Sequence, residues 1–452
     1  MITLSKNNYS HEVQQLFIQL FRDATPYINE FRDKTFVIYF SDTLFSSTQL
    51  HSFVKDLTLL HSLGIKLILV HSTRNTINQK LDEAKISYKI NQELRITTKE
   101  QLAIIKNIYG DIRFQLENLF IKSINNNLQA SEQKEVNNLN VVSGNFVTAQ
   151  PIGILNGIDY QHTGKVRKIN TDKLQSLLNN DNIVLLSPLA SSPSGEVFNL
   201  EAADLATECA IRIKADKLIF ITDNKGLYQD GQIIQEITNQ ELKQNYFPEQ
   251  SQKLTYAEIN QLKRIIYAVD HGVNKVQLLD YQYDGGLLLE IFTNQGIGTL
   301  ISKDNLEEIC QAKEEDINGI KQLITPLEES GSILTRTIEQ LSNDINKFYV
   351  IKRESQVIAC AALYQFSVSE AELACLAVNK SYQHSGRASK LFNFICHEAR
   401  QREIKLIYIL TTQASHWFKE RGFVKGKLND LPKEKQQMVN TDRNSEIFLY
   451  KT

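Results

Sequence analysis

The residues best suited to chemistry in this sequence lie between Glu372 and Leu391. Glu372 stands next to an apolar run, Leu373 to Val378, whose alternation is typical of a strand. The segment Gln383 to Ala388 follows as a loop, and apolar residues then recur at helical spacing. A glycine-containing loop at a helix N-terminus offers backbone N–H groups to a pyrophosphate. A carboxylate at the strand, such as Glu372, is a candidate general base.

The spacing Gln383-x-x-Gly386-x-Ala388 is weak evidence alone, because an ordinary turn between a strand and a helix can carry the same residues. Placed directly after an apolar strand, it resembles the acetyl-coenzyme A loop of the GCN5-related acetyltransferases. The resemblance implies acetyl-CoA as co-substrate and no metal. It also implies a set of cofactor-binding residues: Cys375, Leu376, Ala377, Val378, Gln383, His384, Ser385, Gly386, Arg387 and Ala388.

The composition is that of an ordinary soluble globular protein of two or three domains. The chain has 452 residues, of which 42% are hydrophobic and 23% charged, and its net charge is −2. This balance gives no electrostatic reason to expect nucleic acid or an anionic membrane as a partner. We find no signal sequence, no apolar run long enough for a bilayer, and five scattered cysteines without metal-ligand spacing. We therefore expect a cytoplasmic protein.

Strand and helix patterns alternate from Thr35 to Leu279, which predicts an α/β domain with a mainly parallel sheet between layers of helices. Residues 9 to 31 form an apolar helical stripe that we expect Pro26 to interrupt. This helix could pack on its own domain or against another subunit, and periodicity does not decide between the two. The predicted buried strands are 36–40, 65–70, 140–143, 183–187, 218–222 and 276–279.

The region from Thr25 to Ile301 resembles the amino-acid kinase fold, within it the acetylglutamate kinase branch, most specifically over Leu287 to Thr299. A kinase of this fold holds ATP phosphates with glycines and a lysine after the first strand. This chain has Tyr39-Phe40-Ser41-Asp42 there, and His71-Ser72-Thr73-Arg74-Asn75 at the second turn. Side chains would block the phosphates and Asp42 would repel them, so we expect no phosphoryl transfer.

The apolar pattern stops at Ile301, which predicts a kinase-like domain at 1–301, a linker at 302–306 and a second domain at 307–452. In the second domain we expect a helix ending ahead of Pro326 and paired strands at 348–351 and 357–364. The order of its elements is that of the GCN5-related fold, a mixed sheet with helices.

Together the two halves resemble the bacterial N-acetylglutamate synthase family over nearly the whole chain. The resemblance implies acetyl transfer from acetyl-CoA to the α-amine of L-glutamate, the first step of arginine biosynthesis, in a homohexamer inhibited by arginine. It implies Glu372 as base and Thr411 as a hydroxyl donor. The implied glutamate ligands are Arg336, Arg443 and Ser445, and the implied arginine site comprises Gln277, Glu290, Phe292, Gly296 and Gly298.

The sequence leaves some alternatives open. Glu372 could be a solvated strand residue. Gln277 stands where the family has a histidine, and we therefore expect an arginine site of altered affinity. A different class of function is an arginine-sensing binding protein with an inert acetyltransferase half. A third hypothesis is an active acetylglutamate kinase, but the chain lacks the glycines and the lysine with which such a kinase holds ATP.

Overall fold

The computed structural model describes residues 10–128, 139–229, 231–246, 254–293, 296–303, 307–353, 356–383, 386–412, 414–439 and 445–452. The chain divides into two compact units, Met1–Asp304 and Asn305–Thr452. Each unit has hydrophobic clusters of its own. No helix in the described ranges is both long and apolar enough to cross a membrane.

The first unit contains many short strands and a layer of helices on each side of its main sheet. Its helices are α1 (His11–Phe31), α2 (Leu50–Ser62), α3 (Arg74–Glu83), α4 (Lys99–Leu128), α5 (Thr171–Asn179), α6 (Ala202–Ile213), α7 (Asn239–Tyr246), α8 (Tyr256–Asp270) and α9 (Gly286–Phe292). Its strands are β1 (Thr35–Phe40), β2 (Lys66–His71), β3 (Lys89–Asn91), β4 (Leu94–Ile96), β5 (Asn140–Val142), β6 (Val147–Pro151), β7 (Ile154–Leu155), β8 (Ile158–Asp159), β9 (Gly164–Ile169), β10 (Asn182–Leu186), β11 (Leu189–Ser191), β12 (Val197–Asn199), β13 (Lys217–Thr222), β14 (Tyr228–Gln229), β15 (Gln232–Ile233), β16 (Glu236–Thr238), β17 (Lys275–Asp280) and β18 (Thr299–Ser302).

The main sheet of this unit has the strand order β16-β18-β17-β13-β1-β2-β10-β5. All its pairings are parallel except that of β17 with β18. Successive residues of β1 enter different cores, Val37 on one face and Phe36 and Ile38 on the other. A strand buried on both faces needs an unbroken apolar run, which is the pattern in the sequence. A smaller sheet has the order β12-β11-β6-β9.

Two expectations about proline were wrong. Helix α1 continues through Pro26 to Phe31, and the first helix of the second unit, α10 (Ile317–Glu329), continues through Pro326. Proline removes the hydrogen bond to the carbonyl four residues earlier. Those carbonyls belong to the exposed residues Arg22 and Gln322, where water can replace the lost donor.

The second unit is a mixed sheet with helices packed on it. Its remaining helices are α11 (Ile338–Asp344), α12 (Arg387–Gln401), α13 (Ser415–Lys419) and α14 (Lys433–Met438). Its strands are β19 (Glu307–Gln311), β20 (Phe348–Arg353), β21 (Gln356–Gln365), β22 (Glu370–Val378), β23 (Leu406–Thr411), β24 (Val424–Lys425) and β25 (Glu446–Lys451), and their order in the sheet is β19-β20-β21-β22-β23-β25-β24.

The central strands of this sheet separate part-way along their length. Strands β22 and β23 run parallel and pair only from Glu370 to Glu372, and the last pair is Glu372 with Tyr408. Beyond Glu372, β22 continues beside β21, while β23 continues beside β25. Within the described residues, Leu373 to Val378 therefore have no strand on their β23 side. The predicted fold class is confirmed for both units.

Candidate active site

Glu372 lies at the point where β22 and β23 separate. Its partner on β21 is Tyr364 and its partner on β23 is Tyr408. Side chains of register partners on neighbouring strands share one face of a sheet. The three residues therefore form a row, Tyr364–Glu372–Tyr408, across three strands, with the carboxylate in the middle.

The Glu372 carboxylate forms an ion pair that the sequence did not suggest. Its Oε2 lies 2.5 Å from Nζ of Lys435, on α14. Only 13% of the Glu372 side chain and 15% of the Lys435 side chain are exposed, so each charge is largely desolvated and needs the other. Lys435 also lies 5.4 Å from the centre of the Phe366 ring. Since 63 positions separate the partners, no local spacing in the sequence could reveal the pair.

The free side of β22 provides an open row of backbone groups. A bulge shifts its pairing with β21 between Cys360 and Ala362, and Cys375 opposite takes a left-handed φ of 53°. Burial raises the pKa of the Cys375 thiol to about 11, although Arg336 acts against the rise. The thiol is therefore protonated near neutral pH and is a poor nucleophile. What Cys375 to Val378 offer a ligand is the main chain, which can pair with an extended amide-containing chain as a strand would.

The predicted cofactor loop ends at the N-terminus of α12. Gly386 is the N-cap residue with φ 78°, a left-handed conformation that favours glycine. The first bond of the helix runs from Lys390 N–H to the Gly386 carbonyl, so the preceding N–H groups have no partner within the helix. Gln383 donates from Nε2 to the carbonyl of Val378 over 3.1 Å, which fastens the loop to the end of β22. His384 and Ser385 lie outside the described residues.

Positive charge surrounds this helix start. Arg387 donates from Nε to Glu307 over 2.7 Å and forms a second, shorter contact with the same carboxylate. Arg353 and Lys390 lie 4.0 and 3.9 Å from Glu307, whose side chain is 9% exposed. Three cations around one carboxylate leave an excess of positive charge. Together with the N–H groups of the first turn of α12, this excess suits a pyrophosphate.

Of the three residues expected to bind glutamate, Arg336 and Ser445 lie within the described residues. Arg336 is half-buried on the loop between α10 and α11, where its N–H donates to Glu328 over 2.9 Å and its carbonyl accepts from Lys321 over 2.7 Å. Its guanidinium is close enough to Cys375, Tyr364 and Glu372 to interact with these groups. Ser445 directly precedes β25. Arg443 lies outside the described residues.

Thr411 is not brought to Glu372. It ends β23, three residues beyond Tyr408, and its Oγ1 accepts from Ala414 N–H over 3.1 Å. Alternation along a strand places Thr411 on the opposite face from Tyr408 and hence from Glu372. Its assignment as a hydroxyl donor stays a prediction that this geometry does not support.

In the first unit, the chain's own side chains fill the place of a phosphate site. The buried Asp42 carboxylate, just after β1, accepts from Thr76 N–H over 2.9 Å and from Asn75 Nδ2 over 3.2 Å, at the N-terminus of α3. Arg74 bridges Glu93 and Glu201 across the same turn. These contacts place a carboxylate and an ion-paired arginine where a kinase needs bare backbone.

The predicted effector residues cluster at the end of α9. Glu290 accepts from the N–H groups of Ile297 and Gly298 over 2.8 and 3.0 Å, and from Gln277 Nε2 over 3.2 Å. A side chain on Gly296 would collide with the Glu290 carboxylate, and one on Gly298 with a carbonyl of β17. Phe292 ends α9 and packs partly against the core. Gln277 is buried, and its Oε1 has no hydrogen-bond partner within the described residues.

Comparisons with known proteins match parts of both units of the chain. Residues 34–280 match the amino acid kinase family and residues 344–425 match the acetyltransferase (GNAT) domain. An amino-acid acetyltransferase of Pseudomonas syringae pv. tomato is 40% identical over 437 residues, which are 96% of this chain and 98% of that protein. The chain belongs to the amino-acid acetyltransferase family.

Two solved structures of this family agree in fold. One is the crystal structure of N-acetylglutamate synthase from Neisseria gonorrhoeae complexed with coenzyme A and L-arginine, at 30% identity and a TM-score of 0.81. The other, at 32% identity and a TM-score of 0.60, is that synthase with coenzyme A and N-acetyl-glutamate. Each comparison covers 96% of this chain and 99% of that one. The predicted family, the enzyme class and acetyl-CoA as co-substrate are confirmed.

The conformation of Gly386 leads to a prediction for this acetyltransferase. Gly386→Val should weaken acetyl-CoA binding roughly tenfold or more, because a branched residue disfavours φ 78° and displaces the N–H groups at the start of α12. Gly331→Val is the matched control, since Gly331 also has a positive φ, 70°, and open space around it. Calorimetric titration with acetyl-CoA measures both. Equal affinities in the two folded variants would mean that the phosphates bind elsewhere.

Proposed function

We propose that this acetyltransferase transfers the acetyl group of acetyl-CoA to the α-amine of L-glutamate, giving N-acetyl-L-glutamate and CoA, with Glu372 as general base. The observation that carries the proposal is the place of Glu372. It is a largely buried carboxylate at the point where two parallel strands separate, beside an open strand edge and ahead of an anion-binding helix start.

In the proposed reaction, Glu372 takes one proton from the α-ammonium of glutamate, directly or through water. The neutral amine attacks the thioester carbonyl and the C–N bond forms. The C–S bond then breaks and CoA leaves as a thiolate, which takes the second proton lost by the nitrogen as the neutral amide forms. The open backbone of β22 would hold the pantetheine arm, and the start of α12 the pyrophosphate. Coenzyme A in both complexes of the gonococcal synthase supports this use of the domain.

Binding of glutamate is proposed to depend on arginine side chains of this unit. Guanidinium groups bind carboxylates bidentately, and Arg336 is close enough to Glu372 to interact with its charge. Arg443 and Ser445 are proposed as further ligands on the strength of the family resemblance. The N-acetyl-glutamate complex of the gonococcal synthase supports glutamate as the acceptor.

The proposed bounds of the first domain are 1–301. This domain is proposed to regulate the enzyme and not to turn over ATP. Asp42 at the N-terminus of α3 would repel a phosphate. Arginine is the proposed effector, at the residues around Glu290. The arginine-bound gonococcal synthase supports this choice, and the unpartnered Oε1 of Gln277 supplies an acceptor for a guanidinium. Inhibition requires arginine to bind the less active arrangement more tightly.

The proposed assembly is a homohexamer in the cytoplasm. Helix α1 supports an interface, because a stripe of six apolar side chains on it is 40–67% exposed: Val13, Leu16, Phe17, Ile18, Leu20 and Phe21. All five cysteines are free, which supports a reducing compartment.

Replacing the proposed base, Glu372, tests the proposed reaction. Glu372→Gln should lower turnover by roughly 10²–10⁴, the usual contribution of a general base, while acetyl-CoA binding changes little. Glu370→Gln, two residues earlier on β22, is the control and should keep most of its turnover. The measurement is CoA release with glutamate present. Full turnover of Glu372→Gln at neutral pH would remove Glu372 from the mechanism.

The same preparation, given ATP and N-acetylglutamate, should release no ADP at an enzyme-like rate. ADP release would support the kinase alternative and contradict the role given to Asp42. CoA release distinguishes the enzyme from an arginine-sensing binding protein.

Arginine sensitivity should depend on Glu290. Glu290→Ala removes the acceptor of three N–H donors and releases the loop that carries Gly298, so arginine should inhibit this variant at least roughly tenfold less strongly. Glu100→Ala, an exposed carboxylate in the same unit, is the control. Initial rates are measured against arginine concentration. Equal sensitivity of Glu290→Ala and wild type would place the effector elsewhere.

The assembly should depend on α1. Phe17→Asp puts a charge into the apolar stripe, and sedimentation should then show particles smaller than those of wild type. Asn29→Asp adds a charge at an exposed polar position of the same helix and should leave the mass unchanged. A mass that Phe17→Asp leaves unaltered would contradict a role of this stripe in assembly.

A further inference from the structure

Tyr364 has a buried hydroxyl that nothing in the described residues satisfies. The phenol oxygen is inaccessible to solvent and has no hydrogen-bond partner there. Leaving a buried donor unpaired is costly, so such groups in proteins usually meet water or a ligand. The hydroxyl belongs to the row Tyr364–Glu372–Tyr408, so it lies on the face of the sheet that carries the base.

Tyr364 lies beside the Arg336 guanidinium and the ion pair of Lys347 with Asp344. Burial raises the pKa of Tyr364, and the neighbouring Arg336 guanidinium opposes the rise. The two groups are close enough to interact, but no hydrogen bond of good geometry joins them. Lys347 Nζ lies 5.2 Å from the centre of the Tyr364 ring. A phenol that stays protonated at neutral pH, beside a guanidinium, presents an O–H donor and N–H donors to the same space.

The other end of the row differs in charge. Tyr408 is fully buried, and its hydroxyl also lacks a partner among the described residues. Burial raises the pKa of Tyr408, and Glu372 and Glu370 raise it further. Its ring packs against Leu431 and Ile447. The charged groups that act on Tyr408 are the carboxylates of Glu372 and Glu370, whereas Tyr364 has the Arg336 guanidinium beside it, so an anionic group would bind at the Tyr364 end.

The substrate has the matching charges. An amino acid with an α-ammonium and two carboxylates must place its amine near Glu372 and its carboxylates near donors. We propose that the Tyr364 hydroxyl donates a hydrogen bond to one of these carboxylates, together with Arg336, and so helps to select an acidic amino acid. This inference rests on the proposed function and adds a substrate-binding residue to it.

Tyr364→Phe is the direct test, because it removes one oxygen and keeps the ring in the core. The KM for glutamate should rise roughly 10- to 100-fold, the usual effect of losing a hydrogen bond to a charged group. The kcat and the KM for acetyl-CoA should stay within about twofold. Tyr408→Phe is the matched control, since it removes the corresponding oxygen from the other end of the row, and its glutamate KM should not change.

A second readout separates recognition from a structural effect. Wild type should prefer glutamate over the analogue in which the bound carboxylate is an amide, either glutamine or glutamic acid α-amide. In Tyr364→Phe one of these two preferences, measured as a ratio of kcat/KM values, should shrink. A merely structural role would weaken all substrates alike and leave both ratios intact.

The outcomes are distinct. If wild type acetylates glutamate while Tyr364→Phe keeps the wild-type KM, or keeps both ratios, the inference is overturned and the proposed function stands. If wild type does not acetylate glutamate, the proposed function fails and the inference fails with it. A raised glutamate KM in Tyr364→Phe alone, with one ratio reduced, supports the inference.

Discussion

The separation of β22 from β23 after Glu372 is the constraint on which the acetyltransferase unit depends. Three paired residues hold the two strands together, and then each follows a different neighbour. A parallel sheet that stayed paired would satisfy the backbone of β22 from both sides and leave nothing for a ligand. Because pairing stops, β22 carries a carboxylate on one face at the point of separation and has an open edge beyond it. The bulge at Cys375 then redirects the strand toward the cofactor loop.

The charges of the site are arranged so that each buried carboxylate has a cation from a distant part of the chain. Glu372 has Lys435 and Glu307 has Arg387. A buried carboxylate without a partner is costly, and these pairs relieve that cost in the absence of ligands. The cations also have a second consequence. If Glu372 is the base, as proposed, the substrate ammonium must approach Lys435, and a nearby positive charge favours loss of a proton from that ammonium.

The sequence was sufficient for features that depend on local periodicity or short spacing. The place of Glu372, the loop at Gly386 and five of the six predicted buried strands follow from such patterns, and the structure places them accordingly. The sixth, predicted at 140–143, is only partly buried, because it forms the edge of the main sheet. It was insufficient for features that depend on which strands become neighbours. Tyr364 and Lys435 reach Glu372 only through the order of the sheet and the return of α14, and no spacing encodes either. The predictions that Pro26 and Pro326 would end their helices were wrong for another reason. Whether water can reach the carbonyls that lose their donors depends on the tertiary structure.

The fold of the kinase-like unit does not depend on a bound nucleotide. Its main sheet is stabilised by apolar strands covered on both faces, and none of that packing requires a nucleotide. What a phosphate would otherwise supply is negative charge at the N-terminus of α3, where N–H groups need acceptors. Asp42 supplies that charge from within the chain and is buried in doing so. Once a carboxylate fills the site, glycine gives no advantage at the adjoining turn, and Arg74 can occupy it as an ion-paired side chain. The fold therefore rests on its apolar packing, and the N-terminus of α3 has an acceptor without any bound phosphate.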